Sequence, residues 1–138
     1  MKNRFLATAL LAIALVGTGC KTTGVAPPLA PGFQNIPDQQ MYGALKGARN
    51  FYLTIQCETQ GLNYSPDAKQ CMSDPNIKVP MVLSQTEKDT FNRFGASLNI
   101  AEQLYLAYHA GTATQAQAQA AVNTVSQQQA TLPTPGGK

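Results

Sequence analysis

The stretch 84–111, SQTEKDTFNRFGASLNIAEQLYLAYHAG, decides the fold of this chain. Ser84 and Glu87 have the spacing of a capping box, in which side chains satisfy free backbone N–H groups at the start of a helix. Gly111 is a typical helix end. Between them, apolar residues recur three or four positions apart, the period of one buried helix face: Phe91, Phe94, Leu98, Ala101, Tyr105 and Tyr108. The stretch therefore predicts a long amphipathic helix.

His109, the single histidine, lies in the last turn of this predicted helix. A cation at that position interacts favourably with the helix dipole, and an imidazole there reaches carbonyls that have no partner within the helix. Since no cysteine or acidic residue stands next to it in the sequence, we interpret His109 as structural, and no catalytic residue is predicted.

A second helix is predicted upstream. Asp38 follows Pro37 and is expected to be its N-cap, and Gly61 is expected to end it. Between these two residues one apolar seam alternates spacings of four and three, with Met41, Leu45, Ala48, Tyr52 and Ile55 as its members.

A third helix is predicted downstream of Gly111. Thr114 and Gln117 form a weaker capping box, and apolar residues follow at helical spacing among Ala and Gln. A disordered low-complexity tail is the alternative. The short connection favours a helix that folds back on its neighbour. We therefore predict an all-α fold, a short antiparallel three-helix bundle over 38–132, with a disordered tail at 133–138.

The first nineteen residues have the pattern of a secretory signal peptide. Lys2 and Arg4 precede an apolar run, 5–16, that only Thr8 interrupts. A membrane span needs roughly 20 apolar residues, and this run is shorter. A basic start, a short apolar core and small residues before the cut predict export, with removal of 1–19.

The stretch Val16-Gly17-Thr18-Gly19-Cys20 resembles the lipobox of bacterial lipoproteins. It matches at its last three positions and departs at Gly17, where the family usually has Leu. The resemblance implies acylation of Cys20, which would anchor the protein on a membrane. Cleavage at the same bond by an ordinary signal peptidase, without acylation, is the alternative. In a host with two membranes, Lys21 after the cysteine implies the outer membrane, with the domain facing the periplasm.

Residues 20–37 are predicted to be the lipid anchor and an extended tether. Four prolines and two glycines between 21 and 37 exclude a helix there and favour an extended chain. Without Lys2 and Arg4, eight basic and seven acidic residues remain, a net charge of +1. Because no basic cluster remains, no nucleic-acid partner is predicted.

Cys57 and Cys71 form an even pair in a chain predicted to be exported, which suggests a disulfide. The bridge would close a loop of about 15 residues, worth roughly 3 kcal/mol in the chain-entropy model, and would hold down the long connection 61–83. A single distant histidine and the lack of a CxxC spacing argue against a metal site or a redox centre. No metal or cofactor is therefore predicted.

The whole layout resembles small bacterial lipoproteins of uncharacterised function, some of them prophage-type. The stretch Asn99–Val125 in particular looks like the end of such proteins, where two helices meet at a turn. The resemblance implies fold and location only, with membrane lipid bound through Cys20. A core-like pattern without convergent polar groups predicts a non-enzymatic module that binds an unidentified envelope protein or supports the cell-surface structure. A phage-encoded exclusion or lysis-accessory lipoprotein is the alternative. An enzyme acting on the wall or on lipids is disfavoured, because paired carboxylates or an activated nucleophile are not evident, and no small-molecule substrate is inferred.

Overall fold

The computed structural model describes residues 32–77 and 79–136. The predicted signal peptide, Cys20 and the tether as far as Pro31 lie outside these residues. The described part contains three helices and one two-stranded sheet, in the order α1 (Ile36–Glu58), β1 (Asn63–Ser65), β2 (Gln70–Met72), α2 (Gln85–His109) and α3 (Gln115–Gln129). The fold is mostly helical, as predicted, but the all-α expectation needs correction because the connection between α1 and α2 holds a β-hairpin.

Helix α1 begins before the predicted position. Asn35 is the N-cap, and its side chain accepts a hydrogen bond from the backbone N–H of Asp38 at 2.9 Å. Pro37 lies in the first turn, where its missing N–H has no intrahelical partner to lose. Asp38 is therefore the third helical residue and not the N-cap. The predicted boundary between tether and domain at 37/38 moves to Asn35.

At its other end, α1 stops at Glu58, with Thr59 as the C-cap. Gly61, the predicted end, lies just outside the helix with a φ of +73°, a value that glycine adopts without strain. The backbone N–H of Leu62 then donates to the carbonyl of Cys57 at 3.0 Å. This turn directs the chain away from the helix axis and into the hairpin.

The hairpin pairs β1 with β2 in antiparallel register, with Tyr64 opposite Cys71. Each strand has only three residues, too few for an alternating pattern to be recognised in the sequence. Tyr64 is buried, whereas β2 is exposed along its length. Beyond the hairpin, Leu83 is also buried, so the end of this connection covers the core and forms no strand.

Both capping boxes are confirmed. In α2 the hydroxyl of Ser84 accepts from the N–H of Glu87, whose carboxylate accepts from the N–H of Ser84. Thr114 and Gln117 make the same reciprocal pair at the start of α3. The third segment is thus helical, and its interpretation as a disordered tail is wrong.

The three helices share one core, to which each contributes a single stripe. Most of the predicted seam of α2 is buried, while Phe91 and Tyr108 pack against the core from its edge. Leu132, just after α3, also enters the core, and the N–H of Gly136 donates to the Glu58 carboxylate at 3.2 Å. The buried set is Met41, Leu45, Ala48, Ile55, Leu83, Phe94, Leu98, Ala101, Tyr105, Ala118, Val122, Val125 and Leu132.

Gly95 marks the closest approach of α2 to α1. Tyr52 on α1 lies over it, and a Cβ added at Gly95 would stand 2.8 Å from the ring carbon Cε2 of Tyr52. The ring cannot move aside freely, because it stacks on Phe91 with centroids 4.6 Å apart and planes 7° apart. Glycine is required here for packing and not for backbone conformation.

Truncation of the core should cost stability. Leu98 is fully buried, so Leu98→Ala is expected to lower the free energy of unfolding by about 2–5 kcal/mol through lost transfer energy and cavity formation. Asn92→Ala on the exposed face of the same helix should change it by less than about 0.5 kcal/mol. Urea unfolding followed by circular dichroism measures both, and equal values for the two variants would contradict the assignment of the seam.

Two glycines in the helices give a second test, because replacing them with Ala is expected to change the stability of the protein in opposite directions. Gly43 in α1 is exposed, with no atom within 4 Å of an added Cβ, so Gly43→Ala should stabilise the protein by about 0.5–1 kcal/mol. Gly95→Ala should destabilise it, because displacing the stacked Tyr52 ring outweighs the same gain in helix propensity. The pair is compared by thermal unfolding, and a rise in melting temperature for Gly95→Ala would refute the close approach.

Candidate functional site

The predicted disulfide between Cys57 and Cys71 is confirmed, with Cα atoms 5.4 Å apart. Cys57 lies in the last turn of α1 and is buried, whereas Cys71 lies on the exposed strand β2. The bridge therefore ties the hairpin to the end of α1. Cys20, the predicted lipidation site, lies outside the described residues.

The other end of the domain holds a polar cluster around the buried carboxylate of Asp38, whose residue is 0% exposed. One carboxylate oxygen, Oδ2, accepts from the backbone N–H of Gln34 at 2.7 Å. The other, Oδ1, lies 2.8 Å from Nε2 of His109 in the last turn of α2. The phenol of Tyr105, one turn earlier on α2, also interacts with this carboxylate. A charge taken out of water needs such partners, and here they come from two segments far apart in the sequence.

A second set of hydrogen bonds brings the start of α3 into the cluster. The side-chain amide of Asn35 donates to Oε1 of Gln115 at 3.1 Å and to the hydroxyl of Tyr108 at 3.4 Å. The Tyr108 hydroxyl in turn donates to Gln115 at 3.4 Å. The start of α1, the end of α2 and the start of α3 therefore meet in one network.

Burial alone would raise the pKa of the Asp38 carboxyl. The hydrogen bonds from the Gln34 N–H, the Tyr105 hydroxyl and the His109 ring, together with the charge of the imidazole, outweigh burial and hold that pKa below its ordinary value of 3.8. Conversely, burial and the hydrogen bond to the Asp38 carboxylate raise the pKa of the Tyr105 phenol, which stays protonated as a donor. The cluster thus stabilises the Asp38 carboxylate and keeps the Tyr105 phenol protonated.

The pair of Asp38 and His109 does not follow from the sequence, because no acidic residue lies next to His109 in the chain. The two residues are 71 positions apart, so neither spacing nor local pattern connects them. One signal was present: Asn35 and Asp38 have the spacing of an N-cap and its third helical residue, with Pro37 between them. That pattern places Asp38 in the first turn, free to reach another helix.

A charged pair crosses between α1 and α2 near the middle of the domain. Nε of Arg49 donates to Oε1 of Glu102 at 2.9 Å, and Nη2 contacts Oε2, which makes the pair bidentate. Nη2 also donates to Oδ1 of Asn99 at 2.9 Å. Both ionic side chains are about one-third exposed, at 31% and 34%, so water screens this pair and its role is chiefly orientation.

A shallow groove of about 360 Å³ runs between α1 and α2 beside the polar cluster. Its floor is apolar, and Lys46 and Glu102 are the two charged residues that line it. The aromatic ring of Phe33 packs against Tyr42, one of the groove residues, with ring centroids 5.3 Å apart. Because Glu102 is already paired with Arg49, the groove brings together no acid and base that are free to act on a substrate.

Within residues 32–77 and 79–136, no cluster of three or more His, Cys, Asp or Glu side chains is placed to hold a metal ion. No helix of this part combines the length and the hydropathy of a membrane span. Comparison with family models, with curated proteins and with solved structures gave no match for the chain.

The lowered pKa of Asp38 predicts how stability depends on pH. Because the folded state holds the proton less tightly than the unfolded state, the contribution of Asp38 is fully present well above pH 3.8 and is lost as the pH falls towards the lowered pKa. In Asp38→Asn, the free energy of unfolding should therefore fall less steeply than in the parent protein as the pH is lowered from about 6 to about 2. Urea titrations across this range measure the slope.

The matched control is Asp67→Asn, which removes an exposed carboxylate from the turn of the hairpin. It should leave the pH dependence of the parent protein unchanged. If Asp38→Asn and Asp67→Asn gave the same slope as the parent, the Asp38 cluster would not be the source of acid sensitivity.

Proposed function

We propose that this protein is a lipid-anchored module of a bacterial cell envelope that acts by binding and not by catalysis. Cys20 is the proposed acylation site, and the outer membrane facing the periplasm is the proposed location. The described helices form the folded part of the module, in this proposal a short antiparallel three-helix bundle at the end of a tether.

The disulfide is the single observation that carries the proposed location. Stable structural disulfides are typical of oxidising compartments and rare in the cytosol. Cys57 and Cys71 are bonded, which leaves Cys20 as the odd cysteine of the three in the chain. An unpaired cysteine directly after a signal-peptide pattern is the position that lipoproteins acylate.

The polar cluster supports the antiparallel arrangement. It joins the start of α1 to the end of α2 and to the start of α3, as in a bundle whose helices alternate in direction. It also supports a binding role over catalysis. Asp38 and His109 would be the natural acid–base pair of an enzyme, but the Asp38 carboxylate is inaccessible and its oxygens serve to hold Gln34, Tyr105 and His109 in place.

The anchor is tested through Cys20. In a bacterial host, the mature protein should have lost residues 1–19 and gained the mass of a lipid on Cys20. Cys20→Ser should move the protein from the membrane fraction to the soluble fraction, because two or more acyl chains are what hold such a protein stably on a bilayer. Mass spectrometry of the extracted protein and fractionation of the cells measure both effects.

The control is the double variant Cys57→Ser, Cys71→Ser, which loses the disulfide but should stay in the membrane fraction. A mature protein that begins at Cys20 with an unmodified thiol would reject the anchor and leave simple secretion.

A further inference from the structure

The groove between α1 and α2 is lined by two large apolar side chains that remain open to water. Tyr42 is 46% exposed and Leu106 is 67% exposed. Leu45 and Tyr105, both buried, also line the groove. A groove with this aromatic and aliphatic lining is of the kind that binds extended, proline-rich segments.

The described part of the chain begins at this groove. The ring of Phe33 packs against Tyr42, with centroids 5.3 Å apart, and the N–H of Gln34 donates to the buried carboxylate of Asp38 at 2.7 Å. These two contacts hold the chain at the edge of the groove before it enters α1. Gly32, directly upstream, lies in a turn with a φ of +92°, a value that glycine adopts without strain. The residues that precede Gly32 therefore start next to the groove.

The seven residues before Gly32 have the composition of a proline-rich ligand. Residues 25–31 read VAPPLAP, with three prolines, two larger apolar residues, Val25 and Leu29, and no charge. Such a sequence favours the polyproline II conformation and has little conformational entropy to lose when it binds. At about 3.1 Å per residue, the four residues from Leu29 to Phe33 span at most about 12 Å, which keeps Leu29 beside the groove that Phe33 borders.

We infer that residues 25–31 of this chain occupy the groove, with Leu29 against Leu106. The attachment of the segment favours this occupant over a peptide from another protein. A segment joined to the domain by one residue, Gly32, has an effective concentration at the groove in the millimolar range, so that even a weak contact holds it there. A peptide from outside would have to displace it.

This inference does not rest on the proposed anchor, because the contact involves only the segment 25–31 and the walls of the groove. It changes what the anchor would do. With 25–31 docked, the five residues 20–24 would separate Cys20 from the domain, a reach of about 16 Å at 3.1 Å per residue. An acylated protein would then be held close to its membrane.

Disulfide formation between two added cysteines in the full chain tests the docking. In Leu29→Cys, Leu106→Cys, mild oxidation should close a bond within one chain, because docking sets the two side chains next to each other. The matched control is Leu29→Cys, Gln40→Cys. Gln40 is exposed and near Phe33 in the chain, but it lies two residues before Tyr42 and so on another face of α1. A segment that moves freely would reach both positions, and a docked segment only the first.

The thiols that remain are counted by labelling the unfolded, unreduced protein with a maleimide of high mass. The groove pair should lose both labels and run as a monomer, whereas the control pair should keep both. Equal loss in the two pairs, or no loss in the groove pair, would overturn the inference. A product of twice the mass would place the segment of a second copy in the groove, and a product of any other mass a different protein; either result overturns docking within one chain. An unacylated Cys20 would add one label to every variant and to the parent, so failure of the anchor is seen separately.

Replacing prolines gives a second measurement that leaves the helices untouched. Added to the groove pair, Pro27→Gly with Pro28→Gly should slow bond formation by about two- to fivefold for each proline, because a freer segment loses more entropy when it docks. Thr22→Gly with Thr23→Gly introduces the same glycines upstream of the docked segment and should leave the rate unchanged. Circular dichroism should show equal helix content for all variants. Equal rates for the two glycine variants would overturn the docking of residues 25–31.

Discussion

The buried carboxylate of Asp38 is the constraint on which the arrangement of the helices depends. Apolar seams alone let one helix slide along another by a turn, about 5.4 Å, at modest cost, since one aliphatic contact replaces another. The carboxylate does not allow this, because its Oδ1 needs Nε2 of His109 at 2.8 Å. A buried charge that loses its partners is strongly destabilising. The axial position of α1 against α2 is therefore fixed at one end of the domain.

The opposite end is fixed by different chemistry. The disulfide joins α1 to the hairpin, and Glu58 provides two further attachments. Its carbonyl accepts from the N–H of Met81 at 2.8 Å, and its carboxylate accepts from the N–H of Gly136. The last residue of α1 thus holds both the connection to α2 and the segment after α3. Between the two ends, the stacked rings of Tyr52 and Phe91 and the pair of Arg49 and Glu102 keep α1 and α2 in contact.

Features that depend on local sequence were predicted correctly. Both capping boxes, the apolar seams of α1 and α2 and the helical state of 115–129 follow from residues within one or two turns of each other. The disulfide followed from cysteine number and the expected compartment. What was missed requires distant partners or very short elements. The hairpin has three-residue strands, and Asp38 finds His109 only after the chain has folded.

The start of α1 was misplaced for a local reason. Asn35 and Asp38 are both of residue types favoured at N-caps. Pro37 is compatible with Asn35 as the cap, because a proline in the first turn keeps its fixed φ without losing an intrahelical hydrogen bond. With Asn35 as the cap, the carboxylate of Asp38 is released from capping and becomes available to α2.

The long connection after α1 has a consequence for the order in which the chain folds. Five residues separate α2 from α3, whereas twenty-six separate α1 from α2. Nearby segments meet faster because their loop-closure entropy is smaller. The smaller entropy cost favours association of α2 with α3 before α1 docks. The helix that is synthesised first is then the last to be buried, and the carboxylate of Asp38 stays in water until α2 reaches it.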